Sequence, residues 1–387
     1  MEEGVRVLQT HRARCRANRI SWGAPACSGE PLDFVFYLEL HQPLELKREP
    51  LSRVSSWPDL VDWEASRRRF EEAASRCYEP LLRLLGELAA QGLRAAARVS
   101  GILLEQAERW SRGMLETIGG LVAKGALELV AGPYFNAPPV LPLEELVEQT
   151  KLHAAKLREL LGAEARVCAN PYLAYSDDVG SALSDGLGAR AVLAEGVRHL
   201  LGWRAPYFVY RHPSRSLALL LRDPSLSNEV AFGLGRWLTA SALAERASRV
   251  EGCVVVVGVP AETFGLAVPA SSGAFEFVRW LPRELAKYPW VRFATPSEVV
   301  ERYEPVDVLS APTAVSWLEA GDLRSLTESP LQQAILSLLL ELREGAAEAG
   351  LAEAWRLLTQ ADYLLASRSV AAALRLLKAL CSLRSSL

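Results

Sequence analysis

The sequence predicts a parallel α/β barrel followed by a helical domain. From about residue 34 to about residue 305, short runs of β-branched and aromatic residues alternate with longer segments of helical period. Such alternation favours a parallel sheet, and the barrel is a common closed form of it. After about residue 309 the strand-like runs end, and apolar residues recur with a period near 3.6, which indicates packed helices.

Each predicted strand is a short apolar run that is bounded by turn residues. The clearest is FVFYLEL at 34–40, which ends directly in His41-Gln42-Pro43. Further strands are predicted at 95–100, 127–130, 167–169, 191–193, 217–221, 254–258 and 291–294. Helices are predicted at 63–91, 103–124, 143–161, 179–187, 275–285, 331–348, 351–365 and 370–383.

These elements predict a division of the chain into three parts. Residues 33–305 are interpreted as the barrel domain, and residues 306–387 as a C-terminal helical domain. Residues 1–32 show no clear period and mix Gly, Pro, Ser and Cys with arginine. Two interpretations of that segment stay open, which are a poorly ordered extension and a start codon assigned too far upstream.

Composition and charge exclude several classes of protein. Half of the residues are hydrophobic, so the chain can bury a large core. The formal net charge of −3 provides no basic field for nucleic acid. No apolar run is long enough for a membrane span, and no apolar segment follows the N-terminal arginines as in a secretory signal. We therefore expect a cytoplasmic protein with no nucleic-acid or membrane partner.

The cysteines and glycines argue against a metal or a nucleotide cofactor. The six cysteines are scattered and include no CxxC pair, so we expect reduced thiols and no structural zinc site. The sequence also lacks a GxGxxG fingerprint and a Walker loop, so no cofactor is predicted. Six lysines leave thirty-seven arginines among the 43 basic residues, and asparagine is scarce. Few thermolabile amides are a weak sign of a thermophile, and a high genomic G+C content would give the same bias.

Functional groups of a parallel barrel lie where the strands end at their carboxyl edge. The residues that follow the predicted strands are therefore the candidates, and they are His41-Gln42-Pro43, the segment 132–136, Asn170-Pro171-Tyr172, Glu195-Gly196 and Pro260-Ala261-Glu262.

Two of these candidate positions, and Trp203 beyond them, have both a structural and a functional interpretation. His41 is as compatible with a structural role as with a functional one. Glu195 is interpreted as a carboxylate that caps nearby amides. Trp203, with the tyrosines that follow it, belongs to an aromatic surface that either stacks on sugars or joins the core. A Ser-His-Asp triad is not excluded, although no motif favours one.

Eight segments, in order, resemble glycoside hydrolase family 57 in its α-amylase-like branch. They are FYLELHQPLEL, ALELVAGPYFNAPP, VCANPYLAYSDDVG, GARAVLAEGVRHLLGWRAPYFVY, LSNEVAFGLG, VGVPAETFGLAVPASSGAFEFVRWLPREL, SWLE and LTQADYLL. The resemblance spans about residues 34 to 370. It implies an incomplete (β/α)7 barrel with a C-terminal helical domain, and hydrolysis or transfer of α-glucans with retention. That chemistry needs two carboxyl groups about 5–5.5 Å apart.

The resemblance also shows that the two catalytic carboxyl groups are replaced. Tyr172 stands at the family's nucleophile position, and Pro260 stands at its acid/base position. Other charged or polar family positions hold different residues here, namely Gly132, Asn136, Gly233, Leu266, Ala267 and Tyr363. The residues that the resemblance assigns to substrate binding are present, namely His41, Gln42, Trp203, Glu262, Trp317 and Asp362.

Three functional hypotheses follow from these replacements. The first is a catalytically inactive relative that binds α-glucan or regulates an active paralogue or another protein. The second is an active glycosidase or transferase with Tyr172 as nucleophile and Glu262 as acid. The third is a structural or partner-binding protein whose pocket is filled by apolar residues, namely Pro139, Val140, Pro260 and Leu266.

Overall fold

The computed structural model describes residues 31–387 and the backbone of Ala13–Arg14. The interpretation of residues 1–32 therefore lies almost entirely outside the described residues. The strands are β1 Ala13–Arg14, β2 Leu32–Leu40, β3 Ala95–Val99, β4 Leu127–Leu129, β5 Val167–Ala169, β6 Ala191–Glu195, β7 Tyr210–Arg211, β8 Ala218–Arg222, β9 Val254–Pro260, β10 Val291–Phe293, β11 Tyr303–Glu304 and β12 Asp307–Val308.

Helices cover the outside of these strands and form the C-terminal part of the chain. They are α1 Trp63–Ala73, α2 Glu79–Ala89, α3 Gly101–Trp110, α4 Arg112–Ala123, α5 Leu143–Leu161, α6 Asp177–Leu187, α7 Arg198–Leu201, α8 Pro224–Gly233, α9 Ala240–Ser248, α10 Ala274–Leu285, α11 Pro296–Arg302, α12 Pro330–Glu348, α13 Ala352–Leu357, α14 Ala361–Ala366 and α15 Val370–Arg384. A π-helical turn, Ala74–Tyr78, joins α1 to α2.

Seven parallel strands form a nearly closed barrel, which confirms the predicted fold class. β2 lies between β3 and β9, and the order continues through β8 and β6 to β5. On the other side β3 pairs with β4, and a single bridge from Ala131 to Cys168 joins the two ends of the row. The carboxyl ends of all seven strands therefore meet at one mouth of the barrel.

Alternation along the strands decides which side chains face the mouth. Along β2, Phe34 and Phe36 pack into the cluster under the outer helices, whereas Val35 and Tyr37 belong to the interior cluster. Glu39, two residues beyond Tyr37, continues the interior face. The same alternation puts Arg98 on the interior face of β3, beside Glu39 in the strand register.

The C-terminal helices pack around a separate apolar cluster. Trp355 of α13 is buried between α12 and α15, and its indole N–H donates to the carbonyl of Leu339 on α12 at 2.7 Å. The same cluster includes Phe135 and Leu44 from the barrel loops, so the helices cover the mouth side. The predicted domain limit at residues 305/306 stays a prediction. Among the described residues, no helix is long and apolar enough to cross a membrane.

Several elements differ from those that the sequence predicts. The helix predicted at 351–365 is broken into α13 and α14 at Gln360, whose backbone is extended. The helix at 103–124 is broken at Ser111, which ends α3 and begins α4. α8 and α9 occupy a stretch for which no helix was predicted. Cys253 is disulfide-bonded, so the expectation of reduced cysteines is wrong at that residue.

Candidate functional site

A chain of hydrogen bonds crosses the barrel mouth. The guanidinium of Arg98 donates through Nη2 to Glu39 and, at 2.7 Å, to Oδ1 of Asn136. Asn136 donates through Nδ2 to the carboxylate of Asp362 at 2.7 Å. The same carboxylate oxygen lies 3.0 Å from Nε2 of His41. One network thus joins two barrel strands, a barrel loop and α14.

Local backbone features put these side chains within reach of one another. A Cβ added at Gly132 would lie 2.7 Å from Cδ of Arg98, so the absence of a side chain there leaves room for the guanidinium. Asn136 has a φ of 59°, a left-handed conformation that asparagine tolerates better than most residues. The carbonyl of Asn136 accepts a bond from the N–H of Ala361 at 3.0 Å, which anchors the start of α14 and thereby Asp362.

His41 is held in one orientation from both sides. Its Nδ1 lies 2.7 Å from Oγ of Ser100, while its Nε2 faces Asp362. The hydroxyl of Ser100 also accepts the N–H of Leu103 at 3.3 Å, as the N-cap of α3. Ser100, His41 and Asp362 therefore stand in line like a triad, but Ser100 is completely buried. A nucleophile must reach its substrate, so we interpret Ser100 as the residue that orients His41.

Within residues 31–387, Glu262 forms no ion pair with an arginine or a lysine, and its hydrogen-bond partner is Tyr78. The hydroxyl of Tyr78, at the end of the π-helical turn, donates to Glu262 and lies 3.2 Å from the carbonyl of His41. Burial raises the pKa of Glu262 to about 7, and the bond from Tyr78 only partly offsets this. A substantial fraction of Glu262 is therefore protonated near neutral pH.

Asp362 behaves in the opposite way. Burial alone would raise its pKa, but His41 and the amide of Asn136 outweigh burial and hold the pKa of Asp362 below its usual value. Its side chain retains 32% of its accessible surface although protein surrounds it. The side chain of Asp362 is therefore partly accessible to solvent.

Tyr172 is poorly suited to supply a nucleophile. Its φ is 59°, and its ring packs against the cluster of C-terminal helices. The hydroxyl is buried without a hydrogen-bond partner among the described residues. Burial, and then the carboxylates of Asp362 and Glu39, raise the pKa of Tyr172 well above its ordinary value. The phenol is thus held neutral, with no base in hydrogen-bonding contact.

A second buried ion pair lies on the far side of the mouth. Nη1 of Arg222 donates to both oxygens of Glu195 at 2.9 and 3.1 Å, and its Nε donates to the carbonyl of Gly258 at 2.7 Å. Burial raises the pKa of Glu195 to about 7 despite Arg222. The interpretation of Glu195 as a cap of nearby amides is therefore wrong. Trp317 lies with its ring 5.2 Å from the guanidinium of Arg222.

The structure brings together some of the predicted site residues and leaves others apart. His41, Glu262 and Asp362 belong to one connected set. Trp317 is outside this set, since its backbone N–H donates to the carbonyl of Tyr172 at 2.9 Å and its ring lies near Arg222. Trp203 is exposed, and its ring contacts Arg204. Gln42 makes a weak bond of 3.5 Å to the carbonyl of Pro43. Within residues 31–387, no group of His, Cys, Asp or Glu side chains is arranged to hold a metal ion.

Comparison of the whole chain with known proteins identifies its family. Residues 35–312 match the model of glycosyl hydrolase family 57. The chain belongs to glycosyl hydrolase family 57. The resemblance to this family predicts that an active site would lie at the barrel mouth, beside His41, Glu262 and Asp362.

Relatives and solved structures agree with that assignment. The "Putative alpha-amylase" of Methanocaldococcus jannaschii is 31% identical over 280 residues, which cover 70% of this chain and 60% of that protein. This chain thus spans about 60% of the length of that relative. A branching enzyme of family 57 from Thermococcus kodakaraensis matches with a TM-score of 0.67 at 13% identity, over 87% of this chain and 85% of that one. The 4-alpha-glucanotransferase from Thermococcus litoralis matches with a TM-score of 0.61 at 21% identity, over 85% and 48%. These structures show the shared fold.

Sequence reasoning missed three residues of this family 57 site, namely Glu39, Arg98 and Tyr78. Glu39 and Arg98 were visible as single charged residues inside otherwise apolar strand runs, FVFYLEL and AAARV. A buried strand carries a charge only when a partner compensates it, so this signal could have predicted an ion pair. Tyr78 carries no comparable signal, because it lies in a helical segment.

The raised pKa of Glu262 predicts a loss of stability as the pH rises. Its pKa is about 7 when folded, against an ordinary value of 4.5, so its contribution is complete below about pH 4.5 and is lost as the pH passes about 7. As the pH rises from about 5 to about 8, the wild type should lose stability that Glu262→Gln keeps. We expect the free energy of unfolding of the variant, relative to the wild type, to increase by on the order of 1–3 kcal/mol over this range. Chemical denaturation at both pH values measures this difference. The exposed Glu164→Gln serves as the control, and an equal change in both variants would contradict the prediction.

Proposed function

We propose that this family 57 protein binds α-glucan at the barrel mouth and does not cleave it by the double displacement of its family. The observation that carries the proposal is the pair of residues at the two catalytic positions, Tyr172 and Pro260. A retaining mechanism needs a carboxylate that attacks the anomeric carbon and a carboxylic acid that protonates the leaving oxygen. Tyr172 is a neutral, buried phenol, and the side chain of Pro260 carries no proton that it could donate.

Most of the remaining carboxylates at the mouth are bound to other side chains. Glu39 is paired with Arg98, and Glu195 is paired with Arg222. Asp362 accepts a bond from Asn136 and lies 3.0 Å from Nε2 of His41. Moving any of these groups to a sugar carbon would break a buried ion pair or leave a buried donor without an acceptor, which is costly.

The mouth nevertheless offers groups that suit sugar hydroxyls. Asp362 and Glu262 both keep accessible surface at the mouth. A few convergent polar groups among apolar side chains are typical of a small-molecule site. The accessible surface of Asp362 also argues against a mouth that is filled by apolar residues.

One observation favours a second candidate, which is an active enzyme with relocated catalytic groups. Glu262 has a pKa of about 7, whereas the pKa of Asp362 is lowered, and Tyr78 and His41 connect the two residues. Two carboxyl groups whose pKa values are pushed apart are the usual signature of an acid and its charged partner. Glu262 would then be the acid and Asp362 the nucleophile. Tyr172 would not take part, because its pKa is raised.

Product analysis separates the two candidates. Purified protein is incubated for a long period with maltoheptaose and with amylose at high temperature, and calorimetric titration with maltoheptaose measures binding. We expect binding without shortened or lengthened glucans. Products that disappear in Glu262→Gln, Asp362→Asn and His41→Ala would establish relocated catalysis and overturn the proposal. If the protein neither binds maltoheptaose nor forms products, the proposal is also overturned, and a role in binding another protein remains.

A further inference from the structure

Exposed aromatic side chains surround a cleft outside the barrel mouth. Phe232 is 69% exposed, Trp237 is 57% exposed and Trp280 is 47% exposed. Trp237 lies in the connection from α8 to α9, and Trp280 lies on α10. Both tryptophans line a cleft of about 480 Å³, which we call the tryptophan cleft. Its other lining residues include Thr239, Ser241, Glu276 and Glu284.

The indole of Trp237 is fixed in place against a glycine. A Cβ added at Gly233 would lie 2.6 Å from Cζ2 and 2.8 Å from Cε2 of the Trp237 ring, so the ring rests directly on the glycine backbone. The backbone N–H of Trp237 also donates to the carbonyl of Gly233 at 3.0 Å, which fixes the turn that carries the ring. Gly233 stands where the family resemblance expects an arginine. The ring is therefore held with a large part of its surface toward solvent, which lowers the entropy lost on binding a ligand.

Side chains of both signs line the tryptophan cleft, namely Arg236, Glu276 and Glu284. Glu284 accepts a bond from Lys287 at 2.6 Å, and Glu276 pairs with Arg279 at 3.4 Å. Arg246 lies 5.8 Å from the ring of Trp237, and Arg283 lies 5.3 Å from the ring of Trp280. Alternating positive and negative groups do not match a strongly charged ligand. They offer donors and acceptors to a neutral molecule that carries many hydroxyl groups.

We propose that the tryptophan cleft is a second binding site for α-glucan chains. The apolar faces of pyranose rings stack on indoles, and hydroxyl groups at the ring edges bond to polar side chains nearby. The volume lies in the range of sites that bind small molecules. The assignment of the sugar as α-glucan rests on the proposed function, whereas the geometry of the cleft does not depend on it.

Two sites on one protein change how a long glucan is held. Once a chain occupies one site, the other site meets it at a raised effective concentration, so overall affinity rises without a new contact. A glucan that is too short to reach both sites gains nothing from the second one. The cleft is therefore expected to strengthen binding of amylose, which is long enough to reach both sites, more than binding of maltoheptaose.

The test compares variants at the cleft with a variant at the mouth. Electrophoresis in gels that contain amylose measures retardation by the polymer, and calorimetry measures binding of maltoheptaose. The variants are Trp237→Ala with Trp280→Ala, Gly233→Val (which displaces the Trp237 ring without removing it), and Asp362→Ala. Leu374→Ala, at a residue on α15 that is 53% exposed, is the matched surface control. Thermal unfolding confirms that each variant is folded.

We expect both cleft variants to weaken amylose binding about tenfold or more, because exposed tryptophans dominate binding energy where they anchor a ligand. Leu374→Ala should bind as the wild type does. Unchanged retardation in both cleft variants would overturn the inference, and so would an equal loss in Leu374→Ala. Loss of retardation in Asp362→Ala alone would leave the mouth as the binding site and reject the cleft. Loss in the cleft variants alone would support the cleft and reject binding at the mouth.

Discussion

Arg98→Met is expected to lower the free energy of unfolding by about 3–5 kcal/mol, the usual cost of removing one partner of a buried ion pair. The guanidinium of Arg98 is completely buried, and Glu39 is nearly so. Without it, the carboxylate of Glu39 stays buried without a countercharge, and Oδ1 of Asn136 loses its donor. Denaturant unfolding of the wild type and the variant measures the difference.

A matched substitution separates this effect from the loss of any arginine. Arg67 pairs with Glu71 one helical turn away at 2.7 Å, and both side chains are largely exposed. Arg67→Met should change stability by less than about 1 kcal/mol. The double variant Arg98→Met with Glu39→Leu should regain much of the loss, because a buried pair is replaced by apolar side chains. A loss below about 1 kcal/mol in Arg98→Met would show that the pair is solvated.

Tyr172→Glu, which places a carboxyl group where the resemblance predicts the family's nucleophile, is expected to lower the free energy of unfolding by about 3 kcal/mol or more. The new carboxylate would be buried where Asp362 and Glu39 already act on Tyr172. Thermal and denaturant unfolding measure the loss. Combining it with Pro260→Asp should lower the melting temperature further, since position 260 pairs with Glu39 in the strand register.

Tyr172→Phe is the matched control for that experiment. It keeps the ring that packs against the helices and removes the hydroxyl, which is buried without a hydrogen-bond partner among the described residues. Its stability should equal or exceed that of the wild type, because a buried polar atom without a partner costs free energy. A stable Tyr172→Glu protein that cleaves maltoheptaose would show that the mouth still accommodates the family's chemistry.

The positions of the mouth residues were largely predictable from the sequence. His41, Tyr172 and Glu262 each follow a short apolar run, and the carboxyl ends of parallel strands must share one edge. The break that positions Asp362 was not predictable. The segment 351–365 has continuous helical periodicity, and it is the bond from Ala361 to the carbonyl of Asn136 that anchors the second half in a new direction.

The resemblance identified which side chains were replaced, but it could not show how the space was used. Gly132 leaves room for the side chain of Arg98, and the backbone of Gly233 carries the ring of Trp237. Arg98 lies on β3 whereas Gly132 follows β4, and Trp237 lies four residues beyond Gly233 in a loop. Side chains that fill such space are selected by packing, which a local pattern does not encode.

The sequence by itself determined the barrel and the helical C-terminal region, and its resemblance to family 57 predicts the loss of both catalytic carboxyl groups, at positions 172 and 260. Hydrophobic periodicity and residue identity are local properties, so they can be read directly along the chain. Only the tertiary structure decided which remaining carboxyl groups are charged. Asp362 is held ionised by His41 and Asn136, whereas burial raises the pKa of Glu262 to about 7. A pKa depends on burial and on partners from distant strands and helices, and these exist only once the chain has folded.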